Sequence, residues 1–308
     1  RFIIFRIHLF FVSIIAKGVA CFFYINRVIT FNSLKMLQLF IDFFENLSNL
    51  QKIIWIILCL SFFWIIEGVY PLMRFTYDKW RHSKVNFVLL GTTILINVIF
   101  GVVTAGIFIW TAENHFGILH WLSLPIWLEM ILAIMALDFL AQYVVHFLEH
   151  KVKFMWRFHM VHHSDTHVDV TTGTRHHPVN YIFRETFALL GIILFGMPVA
   201  FYLMYRLLTV FTTYFTHANL KLPLWADKTI SILFISPNMH KFHHHFERPW
   251  TDTNFGNIFS IWDRMFGTFV YDDPKKIVYG LDVLDNSKSE DLSYQIKVPF
   301  DKSVKTDY

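Results

Sequence analysis

Histidine is the residue whose type and spacing carry the most chemistry in this sequence. The chain has 308 residues and 17 histidines, of which 13 fall between positions 146 and 245. His146 and His150 are four apart, His159, His162 and His163 stand at i, i+3, i+4, and His240, His243 and His244 repeat that second pattern. On a helix, residues three and four apart share a face. Each cluster therefore aims two or three imidazoles at one place. Neutral imidazole ligates iron, zinc and copper. The donors of three clusters exceed what one tetrahedral ion can use, so two metals are the economical reading. Thiolate is missing from the set: Cys21 and Cys59 lie inside apolar stretches and read as small buried hydrophobes, neither a disulfide nor a metal site. Nearly all-nitrogen ligation suits iron and O2 chemistry, and ligand type alone leaves zinc open.

Acids near the clusters are the next candidates. Asp138, Gln142 and His146 follow at i, i+4, i+8, which predicts one helical face and makes Asp138 a buried carboxylate placed to orient a ligand or its neighbour. Glu149, Asp165 and Asp169 are weaker candidates for the same role, with ordinary surface acids as the commoner reading. His8, His82, His115 and His120 are isolated and read as structural, and His245 reads as a neighbour of the third cluster. A membrane zinc hydrolase would want a carboxylate base beside its ligands, as in HExxH, and that motif does not occur. A bis-histidine haem protein would use single histidines in facing spans. No G-x-G-x-x-G opens a helix, so electrons for a redox reaction must come from a separate donor.

The elements that must position these residues are membrane helices. Hydrophobic residues make up 55% of the chain, above the 45–50% or so of soluble domains, and the mean hydropathy is +0.44. The excess is gathered into runs: Ile53–Tyr70, Phe87–Trp110, Leu119–Val145 and a long stretch between Glu185 and Phe215. The last is too long for one straight span, and Gly196 and Pro198 near its middle predict a bent span or a re-entrant hairpin. Lys and Arg gather in 71–86 and 151–157 and are missing from 111–118, which places the first two and the histidine site on the cytoplasmic side. The net charge of +4 is diffuse and juxtamembrane; no basic stripe with interleaved aromatics points to nucleic acid. Residues 1–35 are apolar and basic and read as an extra membrane segment, a signal-like stretch or translated upstream sequence, with Met36 as a natural start. The fold class expected is all-α: a polytopic membrane helical bundle with a cytosolic, histidine-rich helical cap. Its parts are the uncertain segment 1–35, membrane-spanning helices in 36–137, a histidine-box segment in 138–271, and a C-terminal portion, 272–308, that is a soluble tail or part of the cap.

Longer strings around the histidines resemble a known family. HFLEH (146–150), the run RFHMVHHSD after Trp156, TTGTRHHP (171–178), FTHAN (215–219), SPNMHKFHH (236–244) and IWDRMFGTF (261–269) together resemble the fatty acid hydroxylase/sterol desaturase superfamily, from about Asp138 to Phe269. That resemblance implies a di-iron site with His146, His150, His159, His162, His163, His240, His243 and His244 as ligands. His217 matches a further ligand position; where some hydroxylases of the family have a second histidine four residues earlier, this chain has Thr213. His177, in the RHHP run, stands where the family often has His-Pro and would line the site or ligate. Asp263 and Arg264 read as structural, pinning the polypeptide under the metals. The activity implied is oxidation of a lipid C–H bond by O2, as hydroxylation or desaturation of a sterol, fatty-acyl or sphingoid chain, with a cytochrome b5-like protein or a ferredoxin and its reductase as electron donor. IWDRMFGTF followed by Ile277-Val-Tyr-Gly also resembles the alkylglycerol monooxygenase branch, which cleaves ether lipids.

Overall fold

The computed structural model describes residues 35–306, and within them the chain is helical. Residues 1–34, which include most of the uncertain N-terminal segment with His8 and Cys21, lie outside the described residues. Contacts divide the chain at Ser48; before it, helix α1 spans 35–45.

After that division the first long helix, α2 (Asn49–Val69), starts where Ser48 Oγ accepts from Gln51 N–H at 3.2 Å and Gln51 reaches back to the Ser48 N–H, which satisfies two otherwise orphaned donors. Helix α3 (Lys79–Glu113) begins at Asp78, whose carboxylate accepts from the Trp80 and Arg81 N–H groups. A short α4 (Ile118–Trp121) leads to α5 (Ile126–Asp138), which starts at Pro125 because proline has no N–H to leave unpaired. α5 runs through a π-helical segment, Phe139–Val144, into α6 (Val145–Lys151). After the histidine-bearing α7 (Lys153–His163), α8 (Pro178–Phe195) and α9 (Val199–His217) form a hairpin. Its turn is fixed by Gly196, in the left-handed region at φ 61°, followed by Pro198. Gly196 also packs backbone to backbone on Gly117, where a Cβ would lie 2.3 Å from the Gly196 nitrogen. The α3–α5 connection and the hairpin turn thus meet at one end of the bundle. The Glu185–Phe215 stretch is two helices joined at this turn.

Four helical stretches are long and apolar enough to cross a membrane: Asn49–Val69, Lys79–Trp121, Ile126–Lys151 and Pro178–Phe195. The outward faces of the first two carry Ile57, Phe62, Ile65, Leu95, Val98 and Val102, all exposed. Water would penalise such a girdle and lipid does not. The cap adds α10 (Leu224–Ile230), α11 (Pro237–His243), α12 (Ile261–Met265) and α13 (Leu292–Lys297). The C-terminal portion joins the cap: Leu281, Leu284 and Val298 share a core with Val85, Leu89, Trp156, Met160 and Val161. Arg157 ties it down by donating to the carbonyls of Pro299, Asp301 and Val304.

Candidate metal centre

The structure brings all nine expected histidines together, in two buried groups. His146, His150, His159, His163 and His243 form one, and His162, His217, His240 and His244 the other, each with its donor atoms within 4.8 Å of one another. Helix geometry explains the division. On α7, His159 and His163 are i,i+4 and face one group, while His162, about 100° away from its neighbour, faces the other. On α11 the pattern is inverted: His240 faces the second group with His244, and His243 faces the first. α6 supplies His146 and His150, and the end of α9 supplies His217.

Hydrogen bonds behind the rings decide which nitrogen faces inward. The Nδ1 atoms of His146, His217 and His243 donate to the carbonyls of Phe255 at 2.8 Å, Thr213 at 2.7 Å and Thr253 at 2.8 Å. His150 Nδ1 lies 3.3 Å from Asp252 Oδ1. With the proton held on Nδ1, each Nε2 presents a lone pair to the interior. The inward nitrogens are then too close for each other. His146 and His159 Nε2 are 3.0 Å apart. His217 Nε2 faces those of His240 at 3.0 Å and of His162 and His244 at 3.2 Å. One lone pair cannot satisfy three neighbours, and the Nε2 atoms of His150 and His243 have no hydrogen-bond partner at all despite burial. Donors held about 2.0–2.1 Å from a shared cation would lie about 3 Å apart. The donor set therefore fits two metal ions. Burial, reinforced by neighbouring imidazoles, holds the pKa values of His159, His162, His163, His240, His243 and His244 well below the usual histidine value. They are neutral donors, as ligation requires.

Several expectations about the surroundings change. Asp138 is buried, as its spacing predicts, but touches no histidine. Its carboxylate accepts from the Ile258 and Phe259 N–H groups and from Trp262 Nε1, at 3.0, 3.1 and 3.0 Å. The π segment, with its i→i+5 pattern, turns the helix less per residue, so Asp138 and Gln142 diverge; Gln142 faces Tyr205 and Arg184 instead. Asp138 acts on the site through the loop that carries the Phe255 carbonyl. Asp263 holds the other end of that loop, accepting from the Phe255 and Gly256 N–H groups and the Thr268 hydroxyl, as a structural role predicts. His177 neither lines nor ligates: it precedes Pro178, caps α8 by accepting from Val179 N–H at 3.2 Å, and packs against Phe158. His176 takes the inward place, stacked on His162 with ring centroids 4.6 Å apart.

Sequence reasoning also missed buried polar groups. Glu149 has no exposed surface and lies 3.4 Å from His159 Nδ1, with Arg184 Nη2 donating to it at 2.6 Å. Asp165 and Asp169 are buried beside His82, at 3.4 and 3.7 Å, so neither the acids nor that histidine are surface groups. Lys241, between ligand positions on α11, donates to the Ala218 and Pro237 carbonyls, and burial lowers its pKa to about 8. His245 stays outside both groups, against Trp250 and the Val278 backbone. A cavity of about 180 Å³ opens from the histidines between the membrane helices, lined by His146, His162, His176, His217 and His240 at one end and by Ile56, Leu90, Ile94, Ala188 and Val210 along its walls.

Residues 130–268 match the fatty acid hydroxylase family. The chain is 28% identical over 157 residues to ornithine lipid hydroxylase OlsE of Rhizobium tropici, covering 51% of this chain and 45% of that protein. It is 31% identical to alkylglycerol monooxygenase of Danio rerio over 183 residues and of Homo sapiens over 182. Each of those matches covers 58% of this chain, and 37% and 38% of the respective relative. The matched region thus spans less than half the length of these relatives. No solved structure matches the chain.

Proposed function

We propose that this chain is a membrane-bound di-iron enzyme of the fatty acid hydroxylase family, which residues 130–268 match, and that it oxidises a C–H bond of a lipid with O2. The observation that carries the reading is the pair of buried, all-nitrogen donor groups opening on a cavity between helices, with a lining more apolar than polar. Nine neutral imidazoles without thiolate suit iron that cycles between oxidation states. When bound, the two irons supply the activation of O2. The net reaction is R–H + O2 + 2 e⁻ + 2 H⁺ → R–OH + H2O. In a desaturation, two hydrogens leave adjacent carbons and two waters form.

The chain's own residues bind, orient and exclude water. The Phe255, Thr213 and Thr253 carbonyls hold the histidine protons on Nδ1. The cavity walls seat an alkyl chain with its reacting carbon against the histidine end. Electrons come from a separate donor of the cytochrome b5 or ferredoxin type, and the histidine end faces the cytoplasm, where the Lys- and Arg-rich segments lie. A second reading, cleavage of an ether lipid, is favoured by the two alkylglycerol monooxygenase matches. There the carbon oxidised is the one bonded to the ether oxygen, and the hydroxylated product collapses to an aldehyde and an alcohol.

The test is elemental analysis of the full chain purified gently in detergent, with untargeted lipid mass spectrometry on cells expressing wild type or His163→Ala at matched level. About two irons per chain and a lipid product missing from the variant are expected. One metal per chain, or a haem Soret band, would overturn the reading.

A further inference from the structure

Behind the first histidine group lies a chain of polar contacts that sets protons on two rings at once. Glu149, fully buried on α6, accepts from Arg184 Nη2 through Oε2 and from Asn180 Nδ2 through Oε1. Asn180 turns its NH2 toward Glu149 and its carbonyl oxygen away. That oxygen lies 3.1 Å from His176 Nδ1 and 3.4 Å from His159 Nδ1. An amide oxygen only accepts. Both imidazoles therefore carry the proton on Nδ1 and leave Nε2 bare.

The two bare nitrogens have different fates. That of His159 points into the first metal group, 3.0 Å from His146 Nε2 and 3.2 Å from His163 Nε2. That of His176 has no hydrogen-bond partner among the described residues, and His176 belongs to neither group. Its ring lines the cavity and stacks on His162, a member of the second group. The ring is part-buried, and a lipid that displaced water from this nitrogen without donating to it would leave a polar atom unpaired, which is costly. One polar cluster on the cavity wall is closed on itself: Arg206 donates to Glu185, Asn97 and the Tyr181 hydroxyl, and Asn97 donates to Tyr181. His176 thus offers an acceptor at the histidine end of the cavity, where the apolar wall gives way to polar groups.

We propose that His176 Nε2 accepts a hydrogen bond from a hydroxyl or amide N–H of the lipid next to the carbon that is oxidised, with Glu149 and Asn180 as the positioning residues that keep this nitrogen bare. The substrate class is then a lipid with a donor group at its reacting end, held by its head, rather than a hydrocarbon or an O-alkylated chain. The proposal rests on the reading of the site as a lipid oxidase.

The test uses the full chain in detergent and two probes, 1-hexadecanol and hexadecyl methyl ether, which differ in the hydroxyl hydrogen. Binding is read as the concentration dependence of thermal stabilisation. Wild type is expected to bind the alcohol about two- to tenfold more tightly than the ether, the range of one net hydrogen bond. His176→Phe keeps a flat ring, and should bind both probes with the affinity wild type shows for the ether. His176→Gln restores an acceptor and should recover the preference. Glu149→Gln frees Asn180 to turn over and should lessen it. Wild type that binds the two probes equally, or binds neither, or a preference that survives in His176→Phe, would overturn the proposal. Iron content, measured on the same samples, tests the lipid-oxidase reading separately: wild type without two metals sinks that reading whatever the probes do.

Discussion

Asp138→Asn gives the sharpest check on how the loop beneath the metals is held. In the wild type, Asp138 Oδ1 accepts from Ile258 N–H, and Oδ2 accepts from both Phe259 N–H and Trp262 Nε1–H. An asparagine placed with its oxygen toward Phe259 and Trp262 sets an NH2 group against the Ile258 N–H, leaving one buried donor unpaired. The cost is about 1–3 kcal/mol. Asp263→Asn has the same consequence at the other end of the loop: its oxygen can keep Phe255 N–H and the Thr268 hydroxyl while Gly256 N–H loses its acceptor, again about 1–3 kcal/mol. Both aspartates restrain one short loop, so the double variant should cost less than the sum of the singles, by about 0.5–3 kcal/mol. The loop also carries the Phe255 carbonyl that holds the proton on His146 Nδ1 at 2.8 Å. Loosening it should weaken metal binding about 10–100-fold, the usual effect of losing a ligand's hydrogen-bond partner. The assays are urea or thermal unfolding in detergent and iron per chain after dialysis against a chelator. Strictly additive stability losses, or iron loss from Asp138→Asn with unchanged stability, would refute the view that Asp138 acts through this loop.

Three further outcomes are expected. His163→Ala and His244→Ala remove donors from different groups, so each should lower iron from about two toward about one per chain while the double variant falls toward none; elemental analysis and Mössbauer spectra of the two singles should differ. Cysteines introduced one at a time at 115 and at 153 should label from opposite sides of the membrane, since His115 neighbours the Gly117–Gly196 contact and Lys153 opens the histidine-bearing helix. Burial lowers the Lys241 pKa from its ordinary value to about 8, so between about pH 8 and 10.5 the unfolded chain holds a proton that the folded one has released. Stability should therefore rise with pH across that window, by at most about 3 kcal/mol, and Lys241→Met should flatten the rise in unfolding experiments.

What the sequence made legible was local. The i, i+3, i+4 histidines need only a helix to converge, and the roughly 100° between adjacent positions already divides His162 from His163. The turn at Gly196 and Pro198 is likewise written in residues that act on their own backbone. Asp138 was legible as buried but not in its partner, because its spacing to His146 assumes an unbroken α-helix. The π segment between them, Phe139–Val144, breaks that assumption. Asp165 and Asp169 belong to no periodic pattern, and only tertiary contact with His82 and Tyr77 buries them.

The pair His176 and His177 shows where a physical rule outweighs a motif. A family string draws attention to the histidine before the proline. Yet the residue before proline is pushed toward extended backbone, and proline favours the first helical position. Together these make His177 the cap of α8, and the structure has it there, at φ −62° and ψ 140°, with its Nδ1 occupied by the Val179 N–H. A ring spent on capping is not free to ligate. The histidine one position earlier precedes no helix and is free to turn inward. Glu149 differs again: its meaning depends on Arg184, 35 residues on, and on Asn180, 31 residues on. A carboxylate inside HFLEH reads as surface until the helix that brings those two partners is folded against it. The backbone rule for His177 was available in advance, while the role of Glu149 comes into being only with the packing of α8 on α6.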